Sequence, residues 1–153
     1  MAEFTKNEVQ VVQVNQPVIL DTTIGCSKGY VLHRNESGIV TLRGLVNNAC
    51  NCFARYQVTF NGNIGLTEGA TVGPVSIALA ISGEPVLTSK AIVTPAAVTE
   101  ANSDDNYFNV TSTAIVTVPK GCCFNISVEN TSTGTTPPAI NVKNANLTVT
   151  RIA

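Results

Sequence analysis

At 153 residues the chain is long enough to bury a core of its own, yet only 12% of it is charged while 44% is hydrophobic, against about 25% charged in ordinary soluble domains. A net charge of -1, with nine Lys and Arg scattered singly, leaves no basic surface for nucleic acid or an anionic membrane. The longest purely apolar run, IALAI at 77–81, is far below the roughly 20 residues of a membrane-crossing helix, so membrane insertion is not expected either.

The first residues, MAEFTKNEVQ, lack the basic region and apolar stretch of a secretory leader. Synthesis in a cytosol is therefore expected, with release by lysis or a non-classical route. Residues 1–8 read as a flexible lead-in, and 9–153 as a single domain. VQVVQVNQPVIL opens that domain as an extended apolar segment. Further on, YQVTF sets Tyr56, Val58 and Phe60 on one face and Gln57 and Thr59 on the other. SIALAIS opposes Ile77, Leu79 and Ile81 to Ala78 and Ala80, a strand covered on both faces. FNISVEN alternates Phe124, Ile126 and Val128 with Asn125, Ser127 and Glu129, and NLTVTRIA continues the pattern through Leu147, Val149 and Arg151. Strand side chains point to opposite faces in turn, so each pattern describes a half-buried strand.

Turn signals separate these runs: Gly25 and Gly29, RNESG, FNGNIG, EGATVGP, ISGEP, ANSDDN, VPKG and the long NTSTGTTPP at 130–138. The best helical candidate, PAAVTEAN at 95–102, is short and β-branched and makes one turn at most. Some eight to ten strands in one unit predict an all-β sandwich or closed barrel. The strands at 75–81, 110–118 and 139–149 are apolar or small on both faces, with few charges to protect them. A monomeric sandwich guards its edges and faces with charge, so oligomerisation is expected.

Catalytic chemistry has little to stand on. His33 is the one histidine, in YVLHRN at a strand end, with no Gly-x-Ser-x-Gly elbow anywhere; it reads as a polar strand-end residue. Glu84 follows a turn and Asp104-Asp105 lie in a loop, so no carboxylate pair is evident. NSDDN has the composition of calcium ligands but lacks the glycine and distal glutamate of an EF-hand. Asn-x-Ser/Thr triplets at Asn35, Asn109, Asn125, Asn130 and Asn146 are expected in any chain so rich in Asn and Thr. No catalytic, cofactor-binding or metal site is assigned.

Five cysteines, Cys26, Cys50, Cys52, Cys122 and Cys123, form the one dense constellation. An odd number excludes a fully paired intrachain framework. Both CNC and CC are tighter than the spacing of structural zinc ligands. Adjacent extended residues face opposite ways, so Cys122 should join the buried Phe124 side and Cys123 the Asn125 side. Buried or half-exposed thiols, one disulfide from Cys50 or Cys52, and a metal site all stay open.

The order of these features resembles a known family. GIVTLRG, ARYQVTFNGNIGL, PVSIALAISGEPV and the closing AINVKNANLTVTRIA are similar to the C1q/TNF-like jelly roll. The likeness is to the bacterial and phage type at the C-terminus of collagen-like exosporium glycoproteins. The resemblance implies a jelly-roll β-sandwich that assembles as a homotrimer around a threefold axis. The chain has no Gly-x-y collagen stalk, and its cysteines depart from the pattern. The expected role is a non-enzymatic structural protein on a phage or prophage virion, as head decoration, fibre or fibre-tip module. Its partners would be other virion proteins and a host-surface glycan. The alternative is a trimeric protein of the bacterial cell or spore surface acting in adhesion or ligand binding. A sugar-binding or hydrolytic sandwich is disfavoured by the absence of Trp and by only 5% aromatic residues.

Overall fold

The computed structural model describes residues 1–25, 29–46, 50–98, 104–134 and 136–153. Twelve strands occur among them: β1 (Ala2–Lys6), β2 (Gln10–Val12), β3 (Thr22–Ile24), β4 (Val31–His33), β5 (Val40–Arg43), β6 (Phe53–Leu66), β7 (Val75–Ile81), β8 (Glu84–Pro85), β9 (Ala91–Val93), β10 (Phe108–Pro119), β11 (Cys123–Asn130) and β12 (Ile140–Arg151). The number exceeds the expected eight to ten because β2, β3, β8 and β9 are edge pieces of two or three residues, too short to show a period of two. Helical structure among the described residues is limited to single 3-10 turns at Leu87–Ser89 and Asp104–Asn106. Residues 95–98 of the helical candidate are not helical, and its remainder lies outside the described residues.

Two antiparallel sheets form the sandwich. The first runs β10-β6-β12-β1-β3, with β2 also on β12, and the second runs β4-β5-β11-β7-β8, with β9 also on β7. The sequence alternation decides which residues meet between them. Tyr56, Val58 and Phe60 of β6 are fully buried, as are Leu147 of β12 and Phe4 of β1. Facing them are Val40 and Leu42 of β5, Ile126 of β11 and Ile77 of β7, all fully buried as well. Strand β7 is closed on its other face too, with Ala78 and Ala80 fully buried, as its unbroken apolar run suggests.

The expectation of a flexible lead-in over 1–8 needs correction. Residues 2–6 pair with β12 from Ala2↔Val149 to Lys6↔Ala145 and with β3 on the other side. In AEFTK only Ala2 and Phe4 are apolar on the inner face, a signal too short to stand out from coil, yet Phe4 is as buried as any residue in the chain. The apolar segment after it is also not one strand. Its one strand is Gln10–Val12, followed by isolated bridges from Val14 to Asn130 and Pro17 to Glu129, because Asn15 turns the backbone to φ 61° and Pro17 has no N–H to donate. Past that break the chain crosses to β11, where Asn15 N–H donates to Asn130 O at 2.9 Å and Val18 N–H to Val128 O at 2.7 Å.

Strand β6 spans the sandwich from Phe53, opposite Pro119, to Leu66, opposite Ile140. The loops therefore gather at two ends. One holds the start of β6, the β10–β11 turn and both chain ends; the other holds 67–74 and 131–139.

Candidate functional site

The outward face of the first sheet is built from threonine and asparagine. Across β10, β6 and β12 the register aligns Thr113 with Thr59 and Thr148, and next to it Ile115 with Gln57 and Thr150. A third row aligns Thr111, Asn61 and Asn146. These side chains bond laterally: Thr113 Oγ1 to Thr59 Oγ1 at 3.1 Å, and Asn61 Nδ2 to Thr111 Oγ1 at 2.9 Å. No ionisable residue stands in these nine positions. Ile115, at 63% exposure, presents an isoleucine to solvent at their edge, on the outermost strand β10. The nearest carboxylate, Glu3 on the adjoining β1, accepts a hydrogen bond from the Asn146 amide.

The four described cysteines collect at one end. Pro119, Lys120, Gly121 and Cys122 make a tight turn closed by Cys122 N–H to Pro119 O at 3.1 Å, with Gly121 at φ 77°, the conformation that a type II turn demands of its third residue. Lys120 N–H donates to Cys52 O at 2.8 Å, and Gly44 N–H to Cys122 O at 2.9 Å. Both cysteine segments thus pack on one turn. Cys50, Cys52, Cys122 and Cys123 are all exposed. For Cys122 this corrects the expected burial on the Phe124 side: it closes the turn, and the strand alternation starts only at Cys123. Cys123 does share the outward face with Asn125, whose Oδ1 accepts from Thr41 Oγ1 at 2.9 Å. Cys26 lies outside the described residues.

Arg43 stands opposite Cys123 in the β5–β11 ladder. Arg151 lies over the Tyr30 ring, 4.4 Å from its centroid, and Arg55 over the Phe53 ring at 4.8 Å. Beneath them the Tyr56 hydroxyl donates to Arg43 O. Burial pushes the Tyr56 pKa up, Arg151 opposes the shift, and Tyr30 and Cys123 add to it.

The other candidate residues lie apart from this end. His33 pairs with Val40, three residues along β5 from the Arg43 that faces Cys123. Both of its ring nitrogens are engaged, Nδ1 with Thr23 Oγ1 at 3.1 Å and Nε2 with Ser37 O at 2.9 Å, and its ring stacks obliquely on Phe4. It braces a turn and faces none of the described cysteines. Glu84 is exposed on the short edge strand β8. Asp104 is taken by Lys143, whose pKa it raises by a direct hydrogen bond. Asn102 and Ser103 of NSDDN lie outside the described residues, and no group of three or more His, Cys, Asp or Glu among the described residues is placed to hold a metal ion. Of the glycosylation triplets, Asn130 is fully buried and its amide is spent on Val12 O, Pro138 O and Ser132 N–H, each at 3.0 Å. That geometry leaves no room for a glycan.

At the opposite end an open groove of about 550 Å³ runs between 67–74 and 133–139, lined by Thr67, Ala70, Val72, Pro74, Pro137 and Pro138 among others. Its lining bears no charge.

Neither a protein-family profile nor any curated protein matches the sequence. Among solved structures, the globular domain of zebrafish complement 1qA protein superposes with a TM-score of 0.57 at 16% identity, covering 99% of this chain and 96% of that one. The CBM22-1 xylan-binding domain of Paenibacillus barcinonensis Xyn10C aligns over 99% of this chain and 87% of its own at 12% identity, with a TM-score of 0.35. With its two antiparallel sheets and nearly complete overlap with the complement domain, the chain has the C1q/TNF-like jelly-roll fold.

Proposed function

We propose that this chain is a non-enzymatic structural module that assembles as a homotrimer through the outward face of β10, β6 and β12 and is displayed on a phage or prophage virion. The observation that carries the assembly is the uncharged Thr/Asn/Gln face with Ile115 exposed at its β10 edge. These nine positions bring no ion of their own into the contact, Glu3 and Arg55 standing at their margin, and their hydroxyls and amides already bond one another. A threefold contact then brings three identical patches together, as closed symmetry requires. The groove between 67–74 and 133–139 stays open at one end of the trimer, where a neutral host-surface glycan would meet threonine hydroxyls and proline rings. The virion assignment rests on the family resemblance.

Sedimentation equilibrium tests the assembly: the reading predicts three times the 16.0 kDa chain mass at micromolar concentration, and a monomer there refutes it. Peptide mass spectrometry of particles purified after prophage induction tests the location. Finding the chain in the particles supports the virion role, whereas finding it only in the cell-wall or spore fraction supports the surface-layer alternative.

A further inference from the structure

The cysteine-bearing end remains outside that reading. Free cysteine behaves as a small hydrophobe and is among the most buried residue types, yet four of the five here are exposed at one place. With an odd count, at least one thiol is left over under any intrachain pairing. The surroundings are equally uneven. The described segments 29–31, 43–46, 50–55, 119–124 and 151–153 at this end contain Arg43, Arg55, Lys120 and Arg151, four of the nine basic residues in the chain, and no aspartate or glutamate, while the N-terminal strand beside them adds Glu3. Ala153 O accepts from the Arg55 backbone N–H at 2.9 Å and from Arg151 Nε at 3.2 Å. Residues directly opposite in an antiparallel pair have Cβ atoms about 4.5–5.5 Å apart, so the Arg43 guanidinium shares the outward face of the second sheet with the Cys123 sulfur. Protein charge gathered at one place concentrates counter-ions there and raises their association rates.

We propose that this end is a thiol–disulfide exchange site in which Cys123 reacts and the Arg43 guanidinium facing it selects anionic disulfides of the glutathione class. Cys123 loses its proton to solvent, and its thiolate attacks one sulfur of the small disulfide. The small molecule's S–S bond breaks as the mixed disulfide forms, and its other half leaves as a thiolate. Cys123 is oxidised and the departing half is reduced, so no further oxidant is needed. Because Cys123 is on the outward face of the second sheet and the proposed trimer contact is on the first, the site stays accessible in either assembly state. The exchange does not depend on trimer formation.

The test compares two disulfide probes on the fully reduced protein: dianionic 5,5′-dithiobis(2-nitrobenzoate) and neutral 4,4′-dithiodipyridine. Their rate ratio in the native protein is measured against that of the same chain unfolded in urea. The expected result is a native preference for the anionic probe that is higher by about tenfold. This preference collapses at high salt, where screening lengths fall to a few ångströms, and it shrinks in Arg43→Gln while circular dichroism stays unchanged. Cys123→Ser should remove the fast, anion-preferring phase, and peptide sequencing of protein treated with oxidised glutathione should locate the adduct on Cys123. An equal preference in native and urea-unfolded chain, a preference indifferent to salt and to Arg43→Gln, or a fast phase that survives in Cys123→Ser would each overturn the proposal.

Discussion

The phenol of Tyr56, near the start of β6, donates its hydrogen to the carbonyl oxygen of Arg43 at the end of β5, so a fully buried side chain of one sheet holds the backbone of the other. A buried acceptor that loses its donor carries its full desolvation cost. Tyr56→Phe keeps the ring packed and removes only that bond, so the expected loss is about 1–3 kcal/mol. Thermal unfolding should show a midpoint lower by roughly 2–4 °C per kcal/mol. An unchanged midpoint would mean that water takes the place of the phenol.

Burial raises the pKa of Tyr56 and of Tyr107 above the ordinary value of 10.0. Below that value both tyrosines are neutral in the folded and the unfolded chain, and their contribution is fully present. Above it the unfolded chain ionises first, so stability falls as pH climbs from about 10 through the raised folded values. Denaturant midpoints measured from pH 9 upward should decline, and the decline should be shallower in Tyr56→Phe; parallel curves for the two proteins would refute the assignment to Tyr56.

Phe4 is fully buried beside His33. Phe4→Ala is expected to cost about 3–5 kcal/mol, a large part of the stability of a typical domain. Deleting residues 1–6 should leave a chain that fails to fold cooperatively. A truncated protein with native circular dichroism and an unshifted unfolding midpoint would restore the lead-in reading.

Ile115→Lys sets one ammonium on the proposed contact face of each protomer, and threefold symmetry multiplies it. Since Ile115 is mostly solvent-exposed in the single chain, the substitution should leave folding intact while the sedimentation mass drops from trimer to monomer. A variant that remains trimeric would place the contact elsewhere.

Gly44 packs on the turn that carries Cys122. A Cβ there would lie 2.0 Å from Pro119 O, a backbone atom with little room to retreat. Gly44→Ala should cost about 1–3 kcal/mol through forced displacement and should alter the thiol reactivity of Cys122, measurable by labelling followed by peptide mapping.

How much of this was legible in the sequence depends on the length of the pattern. Strands β6, β7, β11 and β12 run for seven or more residues, so their alternation is plain from the residues alone, and Tyr56, Val58, Phe60 and Leu147 are buried where it puts them. Strand β1 offers Ala2 and Phe4 alone, and its identity as a strand comes from the hydrogen bonds of β12 and β3 on either side. Cys122 marks a further limit. Period-two reasoning holds only inside a strand, and the Pro119–Cys122 turn places this residue one position before the strand begins.

The sequence by itself determined the all-β class and the buried faces of the long strands, because local alternation and turn chemistry are properties of neighbouring residues; the jelly roll was what the family resemblance implied. Tertiary structure alone decided which residues far apart in the chain share a surface. The uncharged rows of β10, β6 and β12 exist only through strand register. The meeting of Arg43 with Cys123, and of Lys120 with Cys52, likewise comes from cross-strand and turn hydrogen bonds. Those pairings join segments tens of residues apart, and the buried core that holds them in register forms only when the whole chain has folded.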